Sequence, residues 1–287
     1  MQPKPKIIKS PKAMQRLAEG WRCKGKSIGF VPTMGAFHEG HLSLIRKSVK
    51  QNDITVVSIF VNPAQFGANE DFARYPKSFK SDYSKARQAG ADVIFYPSLD
   101  SIYPADFQTY VTPGSIADRL EGAARPGHMR GVATVCVKFF NIVRPHRAYF
   151  GQKDAQQLAV IKQVVKNLNL DLKIVRCPIV RTKSGIALSS RHAYLSKRDL
   201  KKAEAIYDSL KLAKRLIDEG ETNAKAIKTQ MTGIIQTVPG VEIEYIAFNR
   251  WDDLTEIRTI SGKTLISMAA IVNKVRLLDN IIVNRKI

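Results

Sequence analysis

The sequence predicts an α/β fold: a doubly wound parallel sheet followed by a smaller α+β domain. Two observations carry that expectation. Short apolar, β-branched runs alternate with amphipathic segments through the first two thirds of the 287 residues, the rhythm of parallel strands joined by crossover helices. After about Arg181 this gives way to a polar loop, two amphipathic stretches and three apolar runs, the order of a separate α+β unit. With the hinge placed in the loop near residue 182, the expectation is a Rossmann-like domain over 1–182 and a smaller C-terminal domain over 183–287, in keeping with the chain length.

In order along the chain, SPKAMQRLAEG is read as the first helix, with Ser10 as N-cap, Pro11 at the first helical position and Gly20 just past the last turn. SIGFV follows as a buried strand. Between them GWRCKGKS fits the phosphate-loop spacing G-x-x-x-x-G-K-S. That motif needs a strand entering the glycines and a helix starting at the Lys-Ser pair, because the phosphates sit on the helix's unpaired N–H groups. Here helix precedes strand, so Lys24 to Lys26 is read as a basic turn. The alternation continues through HLSLIRKSVKQ, ITVVSIFV, SDYSKARQAG, ADVIFYP, GVATVCVKFFNIV, AYF, AQQLAVIKQVVKNL and LKIVRCPIV. Beyond KSGIALSSRHAYLS, a helix from Lys197 to about Glu219 opens with Ser196 and Asp199 in capping-box positions and puts Leu200, Ala203, Tyr207, Leu210 and Ile217 on one face. A second helix covers about Ala224 to Thr237, and VEIEYIAF, TLISMAAIV and VRLLDNIIV close the chain as strands.

Composition narrows the function. The chain is 44% hydrophobic and 25% charged, an ordinary globular balance, but its formal net charge is +21. The Lys and Arg residues are scattered and no nucleic-acid motif accompanies them, which favours a basic surface that draws in anionic metabolites over a nucleic-acid or membrane partner. Cys23, Cys136 and Cys177 are widely spaced and suggest neither a disulfide frame nor a zinc site. No apolar run reaches the roughly 18 residues of a membrane span. The N-terminus MQPKPKIIKSPK lacks a signal-peptide core, and a reducing cytoplasm is expected.

The residues with chemistry cluster where strands end. In VPTMGAFHEGHLSLI, His38 and His41 stand three apart, and a helix starting near Gly40 would point both to one side of its N-terminus. Backbone N–H groups there favour an anion, and Gly35 and Gly40 allow close approach to the main chain. Two exposed turn histidines are the plainer alternative; zinc is another, though H-E-G-H lacks the H-E-x-x-H spacing. In IFVNPAQFG, Asn62 and Gln65 fall beyond the next strand, where amides can bond a carboxylate, hydroxyl or amine. Asn62-Pro63 also suits an ordinary turn. YFGQKDAQQL runs from strand into helix, and Asp154 could cap it. In GIALSSRHAYLS, Arg191 with Ser189 and Ser190 could close on a triphosphate, or the segment could be a solvated linker. Arg125, His128 and Arg130 in EGAARPGHMRG form a basic loop that could meet an anion or be a surface turn, and Lys138 could snorkel or meet a phosphate.

PTMGAFHEGH, SIFVNPAQFG, EGAARPGHMRG, YFGQKDAQQL and GIALSSRHAYLS, in this order, resemble the pantothenate synthetase (pantoate–β-alanine ligase) family of the H-x-G-H nucleotidyltransferase superfamily. The resemblance covers nearly the whole chain. It implies an ATP-dependent ligase that joins (R)-pantoate to β-alanine through pantoyl adenylate, releasing pyrophosphate and AMP, with Mg2+ on the ATP phosphates and a homodimeric state. It places Met34, Gly35, Ala36, Phe37, His38, Glu39, Gly40 and His41 in the ATP site. Gly151, Gln152, Lys153, Asp154 and Val180 join them, as do Leu188, Ser189, Ser190 and Arg191 of GIALSSRHAYLS, which occupies the place of the KMSKS loop of related synthetases and suits a closing lid. His38, His41, Lys153 and Arg191 are implied as catalytic, and Gln65 and Gln157 as contacts to pantoate, Gln65 also lying close to β-alanine. No protein metal site is implied. Gln152 stands where relatives often carry Glu, and His192 where Asn is usual. Two other activities share parts of the pattern: a cytidylyltransferase-type enzyme, which needs no amine, and an RNA-binding synthetase-like protein using the charge.

Overall fold

The computed structural model describes residues 3–68 and 70–285. Its contacts divide the chain into two compact units. One takes the chain up to Gly151 and again Val160–Pro178; the other takes Gln152–Ala159 and the chain from Ile179 on.

The first unit is the doubly wound sheet. Strands β1 (Lys6–Ile8), β2 (Ile28–Thr33), β3 (Ile54–Ile59), β4 (Val93–Phe95), β5 (Arg147–Gly151) and β6 (Lys173–Cys177) pair in parallel in the order β1-β4-β3-β2-β5-β6. Helices α1 (Pro11–Cys23), α2 (Glu39–Gln51), α3 (Phe79–Gln88), α4 (Leu99–Ile102), α5 (Leu120–Ala124) and α6 (His128–Val143) connect them, and α7 (Ala155–Asn167) follows β5. From β2 the chain builds through β3 to β4 and then returns to lay β5 on β2's other edge. The order therefore reverses between β2 and β5, and ligands of open α/β sheets bind beyond the carboxyl ends of strands at such a point.

Side-chain alternation along β2 assigns its two faces. Phe30 meets Phe139 and Phe140 of α6 edge-on, at ring separations of 6.0 and 6.5 Å. Val31 on the opposite face packs with Leu44 and Ile45 of α2 and Ala86 of α3. Gly29 shares that second face, and a Cβ there would collide with the Ser48 hydroxyl and the Asn52 amide. α2 can thus lie close against the sheet, with Ser48 and Thr55 hydroxyls 2.9 Å apart in the buried seam.

Two expectations need correction. Helix α1 begins as read, Ala13 N–H donating to the Ser10 hydroxyl at 3.3 Å. It runs through Gly20 to Cys23, however, with Lys24 as C-cap and Gly25 next at φ 69°. Arg22 supplies the reason, its guanidinium donating to the Arg144 carbonyl at 3.1 Å and tying the extra turn to the sheet domain. Strand β1 was not anticipated: three residues, KII, carry too little pattern, and pairing with β4 makes them a strand.

The second unit holds α8 (Lys197–Asp218), α9 (Ala224–Gln236) and the antiparallel sheet β7 (Val241–Arg250), β8 (Gly262–Val272), β9 (Val275–Arg285), in the order β7-β8-β9. The capping box closes α8: Asp199 N–H donates to Ser196 Oγ at 3.2 Å and Ser196 N–H to the Asp199 carboxylate at 3.3 Å. Asn223 caps α9 through Lys225 and Ala226 N–H. Leu210, Ile227, Met231, Ile266 and Met268 form one buried cluster beneath the two helices.

Candidate functional site

The turn after β2 carries the two histidines. Helix α2 starts at Glu39, so His38 is its N-cap; His38 Nδ1 accepts from Gly40 N–H at 3.1 Å, and His41 Nδ1 accepts from His38 N–H at 3.4 Å. The rings lie 4.2 Å apart at 43°. An Nδ1 that accepts a hydrogen bond leaves the neutral imidazole's proton on Nε2, so each histidine holds an Nε2–H donor. The turn itself is left-handed at Gly35 (φ 95°) and Ala36 (φ 52°). A residue without any mark in the sequence holds it there. Asp82 of α3, 1% exposed, accepts from Ala36 N–H at 2.9 Å and Phe37 N–H at 2.7 Å, while Lys85 donates to the Phe37 carbonyl at 2.7 Å. The backbone N–H groups of Ala36 and Phe37 thus serve an internal carboxylate, which narrows the expectation that the turn's amides receive an external anion. Gly40 N–H at the α2 terminus is likewise taken by His38, so the expectation narrows to the two histidine side chains.

The turn after β3 is the short 3-10 segment Pro63–Gln65. Here Asn62 does more than punctuate: it is 1% exposed, and its Nδ2 donates to the Gly131 carbonyl at 3.1 Å and to Gln65 Oε1 at 2.9 Å, while Tyr103 donates to its Oδ1 at 2.8 Å. Gln65, 9% exposed, turns its Nε2 toward Met34 Sδ at 3.4 Å. The segment EGAARPGHMRG, which the sequence left between anion contact and surface turn, braces this same turn. His128 Nδ1 donates to the Gln65 carbonyl at 2.8 Å. Arg125 bonds Glu70 through Nε at 2.8 Å and Nη2 at 2.5 Å, and its Nη1 meets His128 Nε2 at 3.2 Å. Burial, followed by the charge of Arg125, pushes the His128 imidazole down to about 4. Burial works to raise the Glu70 carboxyl, but the Arg125 hydrogen bond and charge outweigh it and hold it below its ordinary value. Lys138 lies over the rings of Phe107 at 4.2 Å and Tyr103 at 5.4 Å, a cation–π setting. A cavity of about 450 Å³ opens beside Met34, walled by Phe60, Phe72, Phe79 and Tyr96 and edged by Lys77 and Asp82.

In the second unit, Gln152–Asp154 forms a 3-10 turn. Asn280 of β9, 2% exposed, donates to the carbonyls of Gln152 at 3.0 Å and Lys153 at 2.9 Å, and accepts from the Gln152 side chain at 3.2 Å. This is the physical reason that residues 152–159 group with the C-terminal unit, and it gives the Gln152 departure a partner. The Asp279-Asn280 pair inside the otherwise apolar strand LLDNIIV was the sequence signal available for this clamp. Lys153 Nζ lies 3.6 Å from Asp154. Gln157 follows, half-buried on α7. Val180 and Leu188 pair through the backbone at 3.0 Å, closing a small hairpin. Arg181 anchors it with a bidentate pair to buried Asp279 at 2.5 and 2.8 Å. Ser189 caps the 3-10 segment Ser190–Tyr194 by accepting from Arg191 N–H at 3.3 Å, so that hydroxyl has a structural partner already. His192 Nε2 is buried without a hydrogen-bond partner, and burial with the Lys153 charge lowers its pKa.

The structure therefore gathers Met34 to His41 and Gln65 at the carboxyl edge of one unit. It gathers Lys153 and the 180–192 loop in the other. No group of three His, Cys, Asp or Glu side chains fit to hold a metal ion occurs among the described residues. No helix among them is long and apolar enough to cross a membrane.

Residues 6–282 match the family model of pantoate-beta-alanine ligase. A pantothenate synthetase of Caldicellulosiruptor bescii is 52% identical over 280 residues, covering 98% of this chain and 99% of the relative. That of Thermotoga petrophila is 47% identical over 277 residues, covering 96% and 99%. Among solved structures, pantothenate synthetase from Thermus thermophilus superposes with a TM-score of 0.90 at 35% identity, over 96% of this chain and 98% of that one. A pantoate-beta-alanine ligase from Francisella tularensis, solved in complex with beta-gamma ATP and beta-alanine, superposes with a TM-score of 0.78 at 35% identity, over 96% and 97%.

Proposed function

The chain belongs to the pantoate-beta-alanine ligase family, and on that premise we propose that it joins (R)-pantoate to β-alanine in two steps through pantoyl adenylate. The observation that carries this reading is the His38–His41 pair: two Nε2–H donors, rings 4.2 Å apart, at the start of a 13-residue helix beside the strand-order reversal. Neutral donors at a helix N-terminus suit charge that develops on phosphate oxygens.

In the first step a carboxylate oxygen of pantoate attacks the α-phosphorus of ATP. That P–O bond forms as the bond to the β-phosphate breaks, and pyrophosphate leaves. His38 and His41 donate to the phosphate oxygens, and Lys153 and Arg191 add positive charge. Ser189 and Ser190 supply directional bonds, subject to the cap that Ser189 already makes. In the second step the unprotonated amine of β-alanine attacks the acyl carbon, the nitrogen gives up one proton to solvent as the amide forms, and AMP leaves with the electron pair of the broken acyl–oxygen bond. Gln65 and Gln157 orient pantoate. The remaining residues implied for the ATP site contribute backbone and packing: Met34, Gly35, Ala36, Phe37, Glu39, Gly40, Gly151, Gln152, Asp154, Val180 and Leu188. Mg2+ would reach the protein through ATP phosphates and water, as suits a donor set in which Asp154 is the acidic group beside Lys153. Its part is to neutralise phosphate charge. A homodimer working in the cytoplasm completes the proposal, and the basic surface draws in the anionic substrates.

The test is AMP formation from pantoate and ATP, with and without β-alanine. β-Alanine-dependent AMP and pantothenate are expected. Pyrophosphate release as the end of the reaction, with no need for an amine, would point to a cytidylyltransferase-type activity instead.

A further inference from the structure

The β3 turn fixes not only where Gln65 sits but which way its amide is turned. Helix α6 packs so closely on this turn that a Cβ at Gly131 would collide with the Ala64 carbonyl. The Gly131 carbonyl faces the Asn62 side chain at 3.1 Å. A carbonyl oxygen only accepts, so the Asn62 group there is its NH2. Asn62 Oδ1 is then the atom facing Tyr103 Oη at 2.8 Å, and the phenol donates. The second hydrogen of the Asn62 NH2 points to Gln65 at 2.9 Å, where it can meet only an acceptor, Gln65 Oε1. Gln65 therefore turns its NH2 the other way, and the neighbour there is the weak acceptor Met34 Sδ at 3.4 Å. Asn62 is 1% exposed and Gln65 9%, so reversing Gln65 would set a buried donor against a donor, and reversing Asn62 would set its oxygen against the Gly131 carbonyl and Gln65 Oε1. Burial also raises the phenol pKa of Tyr103, which keeps its proton.

We propose that Tyr103 is a positioning residue for the ligation and that, through Asn62, it sets Gln65 as a hydrogen-bond donor to an oxygen of the carboxylate substrate. Gln65 does not accept from the incoming amine. This rests on the ligase reading and sharpens it: the amide recognises pantoate oxygen, carboxylate or hydroxyl, and offers that position no acceptor for the N–H of an amino group.

The experiment uses the full chain, with AMP formation by the wild type measured first; a wild type that forms no AMP from pantoate, ATP and β-alanine overturns the ligase reading itself. Pantoate binding is then followed by calorimetry, and KM values for pantoate and ATP by pyrophosphate exchange, in Gln65→Ala, Gln65→Glu, Tyr103→Phe and the Tyr103→Phe/Gln65→Ala double variant. Losing one such donor should weaken pantoate binding about tenfold in Gln65→Ala. Gln65→Glu should bind more weakly still, because a carboxylate oxygen would face the substrate's own oxygen. Tyr103→Phe should raise KM for pantoate several-fold and leave KM for ATP unchanged. That effect should vanish in the Gln65→Ala background, as expected when one residue acts through the other. Gln65→Glu binding pantoate as well as the wild type does would overturn the donor assignment. A Tyr103→Phe effect of the same size with and without Gln65 would reduce Tyr103 to packing.

Discussion

The turns after β2 and β3 end neighbouring strands of one sheet, yet opposite chemistry holds them. The first turns two backbone N–H groups, those of Ala36 and Phe37, onto an acceptor, the Asp82 carboxylate, with Lys85 donating to the Phe37 carbonyl beside it. The second exposes a backbone carbonyl, that of Gln65, and its partners are donors, His128 and Arg125. The histidines follow the same logic. His38 and His41 accept backbone N–H at Nδ1 and so carry the proton on Nε2. His128 donates from Nδ1 to a carbonyl and keeps Nε2 as the acceptor facing Arg125. The polarity of the backbone that a turn leaves unpaired selects both the residue type that braces it and the imidazole tautomer.

Removing each brace tests the comparison. The largest effect belongs to Asp82→Ala, which strands two backbone donors at a left-handed turn; a loss of about 3 kcal/mol in urea unfolding is expected. Displacement of His38 and His41 should also slow pantoate-dependent pyrophosphate exchange about 10²-fold. An exchange rate unchanged in folded Asp82→Ala would show that the histidine turn holds its shape without the carboxylate. Arg125→Ala comes next, leaving half-buried Glu70 without its bidentate partner, at about 2 kcal/mol. Its kinetic signature should be a raised KM for pantoate and not for ATP; the reverse split would detach this network from Gln65.

Acid should loosen the second turn. A histidine whose folded pKa is held down to about 4 is protonated more readily in the unfolded chain, so its contribution is complete above its ordinary value near 6.5 and is lost as pH falls toward 4. Glu70, held below its ordinary value, stabilises above pH 4.5 and loses that contribution as pH falls through its folded value. About 2 kcal/mol should disappear between pH 6.5 and 4 through His128. In His128→Asn the slope of stability against pH over that range should flatten; an unchanged slope would place the acid sensitivity elsewhere. The smallest effect belongs to Lys26→Ala: this exposed side chain of GWRCKGKS should cost at most about 0.5 kcal/mol when removed and leave turnover intact. Lost turnover in that folded variant would restore the phosphate-loop interpretation.

Sequence by itself determined what is local. Hydrophobic periodicity marked β2, β3, β5 and β6, the long helices and the three C-terminal strands, and cap chemistry marked the starts of α1 and α8 through Ser10, Ser196 and Asp199. It placed VPTMGAFHEGH and IFVNPAQFG at strand ends, because a buried run followed by glycine or proline is a short-range signal. Tertiary structure alone decided what braces those ends. In SDYSKARQAG, Asp82 reads as an acidic first-turn residue of a helix, and its bond to Phe37 spans 45 positions. Tyr103 reaches Asn62 over 41 positions, His128 reaches Gln65 over 63, and Asn280 reaches Lys153 over 127. Gly20 stayed helical and β1 became a strand for the same reason, a distant partner outweighing a weak local preference. Which N–H or C=O a turn leaves unpaired is fixed only when its backbone angles are, so even where a side chain stands out in the sequence, as Asn280 does in LLDNIIV, nothing beside it names its partner.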